Sequence, residues 1–227
     1  GSAAKIIRLE SEYINRFYVL HHNHKHPNGN PTKRDAGNLS SRKKFDAIIA
    51  LTKEHTKDLE KEYKGYKFTT IPNFTDITAK KTSNDYNNKK IGFFGQLIDR
   101  KGLKDAIDVI KILREEHHLD VHLNVYGASP TDTEAAIKLY HDYAKKNEVG
   151  EHVNFKGYTQ SAAKEMEDCN CIIFPSYSEA QGLSVVEALS VGTPVVAYDC
   201  KYGPSSMLKN DYNGYLTPVG EKDNIAK

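Results

Sequence analysis

The sequence of 227 residues lacks several features that would assign it to a class at once. Its longest apolar runs are far too short to span a bilayer, and no signal peptide opens the chain. Because 32 basic residues face 30 acidic ones, the net charge is only +2, and bulk electrostatics imply no affinity for nucleic acid. These absences predict a cytoplasmic protein without a transmembrane segment, while peripheral association with the inner face of a membrane stays open.

Cysteine and the common cofactor motifs are scarce as well. The three cysteines, Cys169, Cys171 and Cys200, lie in apolar surroundings without metal-site spacing, which predicts buried thiols in a reducing compartment. No Asp-x-Asp motif sits at the end of a predicted strand, so we expect no metal and no other cofactor. No Gly-x-Gly-x-x-Gly follows a strand, which argues against a dinucleotide oxidoreductase.

What the chain does contain is a regular alternation of short strands and helices from position 90 onward. The composition, 38% hydrophobic and 27% charged, is that of a protein able to bury a core. Strands are predicted at 91–95, 121–127, 153–157, 171–174, 194–198 and 215–217, and helices at 101–116, 131–146, 161–168 and from Ser184. This alternation predicts an α/β fold, a Rossmann-like, doubly wound parallel sheet covered on both faces.

The part of the chain before residue 77 shows strands without a complete alternating unit. Strands are predicted at Phe17–Leu20, Phe45–Leu51 and Phe68–Ile71, and Thr52 is expected to cap a charged helix that runs towards Tyr63. The polar segment 77–90 indicates a connection between units. Residues 1–4 are interpreted as a remnant of cloning.

The most informative stretch is Phe174–Pro194, which reads FPSYSEAQGLSVVEALSVGTP. It predicts a buried strand ending at Pro175, a glycine-bearing loop, and a helix that Ser184 opens and Gly192 ends. Unpaired amides at the start of a helix attract anions, and two carboxylates with seven residues between them, Glu179 and Glu187, flank this site. Carboxylates suit sugar hydroxyls and amides suit a diphosphate, so the pattern fits a nucleotide sugar.

The run E-A-Q-G-L-S-V-V-E followed by A-L-S-V-G-T-P-V-V-A resembles the E-x7-E signature of retaining GT-B glycosyltransferases of family 4. The later Tyr202-Gly203-Pro204, Asn213-Gly214-Tyr215 and Gly220 fit the same family. The resemblance implies two Rossmann-like domains with the active site between them. On this interpretation residues 5–76 are the tail of the acceptor-side domain, and 77–227 are the donor-binding domain, cut before its closing helices. Such a fragment is expected to be inactive alone.

The resemblance also implies roles for the residues of this stretch. Glu179 would lie at the donor sugar and its transferring carbon, and Glu187 would bind the ribose hydroxyls. Gly182, Leu183 and Ser184 would present the helix start to the diphosphate. Local sequence offers two alternatives: Ser184 and Glu187 have the spacing of a capping box, and Glu179 could be a solvated loop carboxylate.

Two cations, Arg100 and Lys101, are predicted at the start of a helix, where they oppose its dipole unless a pyrophosphate binds there. In the resembled family an arginine follows a glycine and a lysine follows five positions later, both on the donor phosphates. Lys101 fits that lysine, but Gln96 follows Gly95 where the arginine is expected. Glutamine can donate a hydrogen bond and cannot neutralise a leaving diphosphate, so Arg100 is the candidate to compensate.

Four histidines, His21, His22, His24 and His26, form a cluster that could be interpreted as a metal site, although no cysteine or carboxylate completes it. By the resemblance, His21 is instead expected to face the donor sugar from the end of a strand. A histidine at a domain edge is the alternative. Position on loops alone assigns three more residues to the base pocket: Tyr158, Pro175 and Ser176.

The resemblance implies retaining transfer of a sugar from a nucleotide diphosphate donor, a UDP-sugar by preference, to an acceptor hydroxyl, and the missing Asp-x-Asp motif leads us to expect that the transfer is metal-independent. The loop of histidines and the Tyr202-Gly203-Pro204 motif resemble bacterial glucosyl- and N-acetylglucosaminyltransferases, so the expected acceptor is a surface glycan, teichoic acid or glycoprotein. Two alternatives stay open. One is a non-catalytic GT-B subunit that binds a glycosyltransferase and its acceptor protein, and the other is a nucleotide-sugar epimerase.

Overall fold

The computed structural model describes residues 17–21, 45–75 and 89–227, and the statements below concern these ranges. The strands are β1 (Phe17–Val19), β2 (Ala47–Ala50), β3 (Phe68–Thr70), β4 (Lys90–Phe94), β5 (His122–Tyr126), β6 (Val153–Gly157), β7 (Cys171–Phe174), β8 (Val195–Tyr198) and β9 (Gly214–Thr217). The helices are α1 (Lys53–Glu62), α2 (Leu103–Glu115), α3 (Thr133–Lys146), α4 (Ala162–Glu167), α5 (Leu183–Ser190), α6 (Pro204–Met207) and α7 (Lys222–Ile225). Short 3-10 turns lie at Asp99–Lys101 and Gly150–His152.

Strands β4 to β9 form one parallel sheet in the order β6-β5-β4-β7-β8-β9. The chain starts in the centre at β4, moves outward to β6, and then crosses back to β7 to build the other half. This is the Rossmann-like, doubly wound arrangement that the alternation predicts. Because the strand order reverses between β4 and β7, the loops at their carboxyl ends diverge and leave a crevice, where such folds bind ligands.

The two faces of this sheet are covered by different helices, as the apolar strands require. On one face Leu103, Ile107 and Ile110 of α2 pack with Leu123 and Val125. On the other face, buried residues of α5 and β7 share a second core: Val185, Ala188, Ile172 and Phe174. Ile173, which lies between these two β7 residues, belongs to the first core. Successive residues of β7 therefore point to opposite cores, which confirms that this short apolar run is a strand buried on both sides.

Strands β1, β2 and β3 form a second parallel sheet with its own small core of Leu20, Ile48, Ala50 and Leu59. Helix α1 packs on this sheet and begins as predicted, since the Thr52 hydroxyl accepts a hydrogen bond of 3.2 Å from the amide of His55. None of the helices in the described ranges combines the length and the apolarity that a membrane crossing requires.

Two helix starts differ from the prediction. Helix α5 begins at Leu183 and its N-cap is Gly182, with a φ of +91° that favours glycine, so Ser184 lies inside the helix and does not open it. The cations Arg100 and Lys101 lie in the 3-10 turn, and α2 begins only after Gly102. A polar residue at a helix start has several possible register positions, and packing of the preceding loop decides between them.

The three cysteines form no disulfide in the described ranges, and Cys169 and Cys200 are buried as predicted, whereas Cys171 is only partly buried. Burial, with the negative charge of Glu179 as a smaller contribution, raises the pKa of the Cys200 thiol to about 12. The thiol therefore stays protonated and unreactive at neutral pH.

We expect the substitution Gly102→Ala to destabilise the protein far more than Gly65→Ala. Both glycines have positive φ, +72° and +84°, but a Cβ on Gly102 would lie 2.0 Å from the carbonyl oxygen of Pro175, whereas one on Gly65 meets nothing within 4 Å. Backbone strain alone costs about 1 to 2 kcal/mol, and the clash should bring the Gly102→Ala loss to about 3 kcal/mol or more. Urea denaturation measures both, and equal losses would contradict the close approach.

Candidate functional site: a cleft at the carboxyl ends of both sheets

A cleft of about 760 Å³ opens at the carboxyl ends of the strands, between the two sheets. The smaller sheet contributes one residue after each of its strands, namely His21, Leu51 and Asn73. The larger sheet contributes the loops after β4, β5, β6 and β7 together with the first turn of α5. The cleft therefore occupies the point where the strand order reverses, as expected for a ligand site in this architecture.

The cleft brings together most of the residues that the sequence singled out, and these are His21, Gly95, Gln96, Arg100, Lys101, Tyr158, Glu179, Gly182, Leu183, Ser184 and Glu187. Tyr158 lies at the rim with 76% of its surface exposed. Two assigned residues do not line the cleft. Pro175 packs its carbonyl against Gly102, and Ser176 is only 1% exposed, because the loop after β7 turns into the protein before it returns to the cleft.

Glu179 is buried, with 8% exposure, and its Oε1 atom forms an ion pair with Lys101 Nζ at a distance of 2.6 Å. The Arg100 guanidinium approaches the same oxygen at 3.4 Å and also donates to the carbonyl of Ser178. The alternative of a solvated loop carboxylate is therefore wrong. Arg100 and Lys101 would be unfavourable beside the positive end of a helix dipole, and the negative charge of Glu179 compensates them from within the chain.

The start of α5 presents backbone amides to the cleft. Val185 and Val186 donate to the carbonyl of Gly182 at 3.0 and 3.4 Å, whereas no hydrogen bond from the amides of Leu183 and Ser184 occurs within the described part of the chain. No side chain in the described ranges caps this helix, so the alternative of a capping box between Ser184 and Glu187 is wrong. Free first-turn amides and the helix dipole together favour an anion here.

Glu187 is half-buried on the cleft side of α5, and its carboxylate makes neither a hydrogen bond nor an ion pair to any residue in the described ranges. Desolvation by burial raises the pKa of this carboxyl group above its ordinary value. A partly desolvated carboxylate without donors in a cleft is suited to accept hydrogen bonds from a ligand, and hydroxyl groups are donors of that kind.

Sequence reasoning missed two cleft residues that the fold makes important. The side chain of Gln181 and the backbone of Asn73 form a reciprocal pair, with 2.7 Å from the Asn73 amide to Gln181 Oε1 and 3.4 Å from Gln181 Nε2 to the Asn73 carbonyl. This pair joins the end of the smaller sheet to the loop after β7. Gln181 lies within the E-x7-E stretch, but only the tertiary structure shows its partner, 108 residues away.

Tyr126, at the end of β5, is the second residue that was missed. Its ring stacks on Phe94 with centroids 4.6 Å apart, and its hydroxyl donates to Glu165 at 2.8 Å. Burial, followed by that hydrogen bond, raises the pKa of Tyr126, so it remains a neutral donor in the cleft wall. The end of a predicted strand was the signal that could have identified it.

A group of potential metal ligands lies at the opposite edge of the sheet. Among the described residues, Asp120, His122 and His152 bring ligand atoms within 4.8 Å of one another at the amino ends of β5 and β6. Arg114 donates to Asp120 at 2.7 Å and so places a positive charge beside them. The histidine cluster predicted near the start of the chain is a different group. Its His21 is an exposed residue at the edge of the cleft, whereas His22, His24 and His26 lie outside the described residues.

We expect Lys101→Met to destabilise the protein by about 3 kcal/mol, because it leaves the buried Glu179 carboxylate with only the longer Arg100 contact. Adding Glu179→Gln to Lys101→Met removes the uncompensated charge and should recover most of the loss. Urea denaturation at pH 7 measures both variants. Equal losses in the single and double variants would show that the pair contributes nothing specific.

Replacement of Glu187 by Gln is expected to stabilise the unliganded protein at pH 7 by about 0.5 to 1 kcal/mol. The pKa of Glu187 in the folded protein is raised above its ordinary value of 4.5. Between these two pKa values the folded protein binds more protons than the unfolded chain, so the free energy of unfolding falls as the pH rises from 4.5 through the raised pKa. The gain from Glu187→Gln should therefore shrink as pH is lowered to 4.5. The exposed Glu134→Gln is the control, and thermal unfolding at both pH values is the measurement; a gain independent of pH would contradict the cause.

Residues 74–227 match the family model described as glycosyl transferases group 1. Among curated proteins, the poly(ribitol-phosphate) alpha-N-acetylglucosaminyltransferase of Staphylococcus aureus is 29% identical over 95% of this chain and 43% of its own length. The poly(glycerol-phosphate) alpha-glucosyltransferase of Bacillus subtilis is 30% identical over 81% of this chain and 26% of its own length. The chain thus spans less than half the length of either relative.

A crystal structure of a variant of S. aureus TarM in complex with fondaparinux, alpha-GlcNAc-glycerol and UDP superimposes with a TM-score of 0.88 at 26% identity. The superposition covers 100% of this chain and 45% of that one, and therefore includes both sheets and the cleft between them. The family model alone covers more than half of the chain. The chain belongs to the glycosyl transferases group 1 family of GT-B glycosyltransferases.

Proposed function

We propose that the protein containing this chain is a retaining, metal-independent glycosyltransferase that moves a sugar from a UDP-sugar to an acceptor hydroxyl of a surface polymer or glycoprotein. One observation carries the proposal: the amides of Leu183 and Ser184 lie in the cleft lining between Glu179, which is paired, and Glu187, which has no partner in the described ranges. A diphosphate at the helix start would leave its ribose near one carboxylate and its sugar near the other.

The leaving diphosphate needs positive charge at the moment the glycosidic bond breaks. Lys101, Arg100 and the α5 amides line the cleft and can supply it from preorganised positions. Arg100 takes the role that the resembled family gives to an arginine at the position of Gln96, since its guanidinium already reaches Glu179. These cations can neutralise the charge of the leaving diphosphate, which is the role of a divalent metal in other transferases, and this supports metal independence.

Glu179 is held by its cations on the sugar side, where its negative charge can steady positive charge on the anomeric carbon. Glu187 has no donor among the residues that the structure describes, and its carboxylate is therefore suited to accept hydrogen bonds from the ribose hydroxyls. Retention of configuration is supported by the resemblance to retaining enzymes and by the names of two relatives, which describe alpha-linked products, as in the usual alpha-linked UDP-sugar donors.

The acceptor class follows from the same relatives. The names of two of them specify poly(ribitol phosphate) and poly(glycerol phosphate) as acceptors, and the matched TarM crystal contains a sugar linked to glycerol. We therefore propose a polyol-phosphate polymer of the teichoic acid type as the first acceptor to test, with a surface glycoprotein as the second.

A second candidate function is a non-catalytic subunit that binds a partner transferase and its acceptor protein. Gln96, which lines the cleft in place of the expected arginine, is the observation that favours it. If this candidate is right, Gln96→Arg should not create turnover, because the missing activity would reflect the whole site. If the enzyme is only slow, Gln96→Arg should raise its turnover.

The decisive experiment incubates the complete protein with a panel of nucleotide sugars and polyol-phosphate oligomers, with EDTA present. We expect transfer, or slow donor hydrolysis, from one UDP-sugar with retained anomeric configuration. Inverted product or a strict metal requirement would reject those parts of the proposal. Epimerised donor without acceptor would reject the transferase in favour of an epimerase.

UDP binding supplies a test that needs no turnover. We expect Glu187→Ala to weaken UDP binding about tenfold or more, because it removes hydrogen bonds to a charged acceptor. The matched control is Glu134→Ala, which deletes an exposed carboxylate in the first turn of α3, outside the cleft. Isothermal titration measures both. Equal affinity of Glu187→Ala and the parent for UDP would place the nucleotide elsewhere.

A further inference from the structure

The backbone of Glu179 is fixed by a neighbouring loop, residues 199–203, which we name the brace. The amide of Glu179 donates to the carbonyl of Lys201 at 3.1 Å, and the amide of Tyr202 donates back to the carbonyl of Glu179 at 3.0 Å. Next to them Gly203, with a φ of +107°, lies so close that a Cβ would be 2.0 Å from the carbonyl oxygen of Gln181. The brace therefore sets where the Glu179 backbone lies.

Two side chains of the brace, those of Lys201 and Tyr202, contact helix α1, which packs on the smaller sheet. Lys201 Nζ lies 2.6 Å from Asp58 Oδ2, and the Tyr202 hydroxyl donates to the same oxygen at 3.0 Å. The Tyr202 ring, only 1% exposed, stacks on His55 with centroids 4.3 Å apart and an interplanar angle of 12°. One carboxylate on α1 thus holds two consecutive residues of the brace.

We propose that Asp58, Lys201 and Tyr202 are positioning residues. They couple the position of α1 relative to the larger sheet to the position of the Glu179 carboxylate in the cleft. The continuous path runs from Asp58 through the brace to the Glu179 backbone, and from its side chain to Lys101. A shift of α1 moves both hydrogen bonds of the Glu179 backbone together, because both end on the brace.

The consequence for catalysis rests on the proposed function. If Glu179 acts at the transferring carbon, a displaced carboxylate slows the chemical step while the nucleotide, held by the α5 amides and Glu187, still binds. Small misplacements of catalytic groups are costly in rate. Loss of the contact between α1 and the brace should therefore lower kcat and leave UDP affinity nearly unchanged.

The chain offers a closely matched control. Asp108 also accepts from one lysine and one tyrosine, with Lys222 Nζ at 2.7 Å and the Tyr143 hydroxyl at 2.7 Å. The side-chain exposures of Asp58 and Asp108, 21% and 17%, are similar. Asp108 lies on α2 and does not line the cleft, so Asp108→Asn reproduces the lost ion pair without touching the brace.

The first measurement is amide hydrogen exchange in the complete protein without ligand. We expect Asp58→Asn to speed exchange at the amides of Glu179 and Tyr202 about tenfold, and Asp108→Asn to leave both unchanged. Lys201→Arg, which keeps the charge, should behave like the parent. Unchanged exchange in Asp58→Asn, or an equal rise in Asp108→Asn, would overturn the coupling whether or not the protein has activity.

The second measurement is turnover. We expect Asp58→Asn to lower kcat about fivefold or more while the Kd for UDP stays within about twofold, and Asp108→Asn to retain the parent kcat. An equal loss of kcat in both variants would show a general stability effect and overturn the positioning role. If the parent turns over no nucleotide sugar, the proposed function fails, and hydrogen exchange alone then decides the coupling.

Discussion

The ion pair between Lys101 and Glu179 is the interaction on which the arrangement of the cleft depends. Its members come from the loops after β4 and β7, the two strands between which the sheet order reverses. A buried carboxylate is costly without a positive partner, and a lysine near a helix start is unfavourable without a negative one, so the ion pair removes both costs. The pair thereby joins the two loops and places charge of both signs in the lining of the cleft.

The two carboxylates of the E-x7-E stretch line the same cleft but differ in their hydrogen bonds and ion pairs. Glu179 is paired with Lys101 and hydrogen-bonded through its backbone, whereas Glu187 is half-buried and receives no hydrogen bond from the part of the chain that the structure describes. A group that is kept desolvated and unpaired costs stability in the free protein, and such costs concentrate where a ligand supplies the missing partners. The contrast supports the proposed roles, in which Glu179 lies at the donor sugar and Glu187 accepts hydrogen bonds from the ligand.

The smaller sheet contacts the loop after β7 at two places, directly through the pair of Asn73 with Gln181 and indirectly through the contact of α1 with the brace. Both contacts converge on the segment from Glu179 to Gln181. Residues that belong to different sheets therefore fix the same short loop. The loop that carries Glu179 therefore has contacts on both sides of the cleft, although Glu179 itself follows a strand of the larger sheet.

The sequence by itself determined the fold class and the alternation of elements, because hydrophobic periodicity and glycine-bearing turns are local properties, and most of the residues that it singled out line one cleft. It could not determine the register of the helix starts, so Ser184 was placed as a cap when Gly182 takes that position, and Pro175 and Ser176 were assigned to a pocket that they do not reach. Only the tertiary structure decided that Glu179 is buried against Lys101, that Gln181 binds Asn73, and that Asp58 reaches Lys201. These contacts join residues 78 to 143 positions apart, and no local pattern encodes which distant side chain fills a given space.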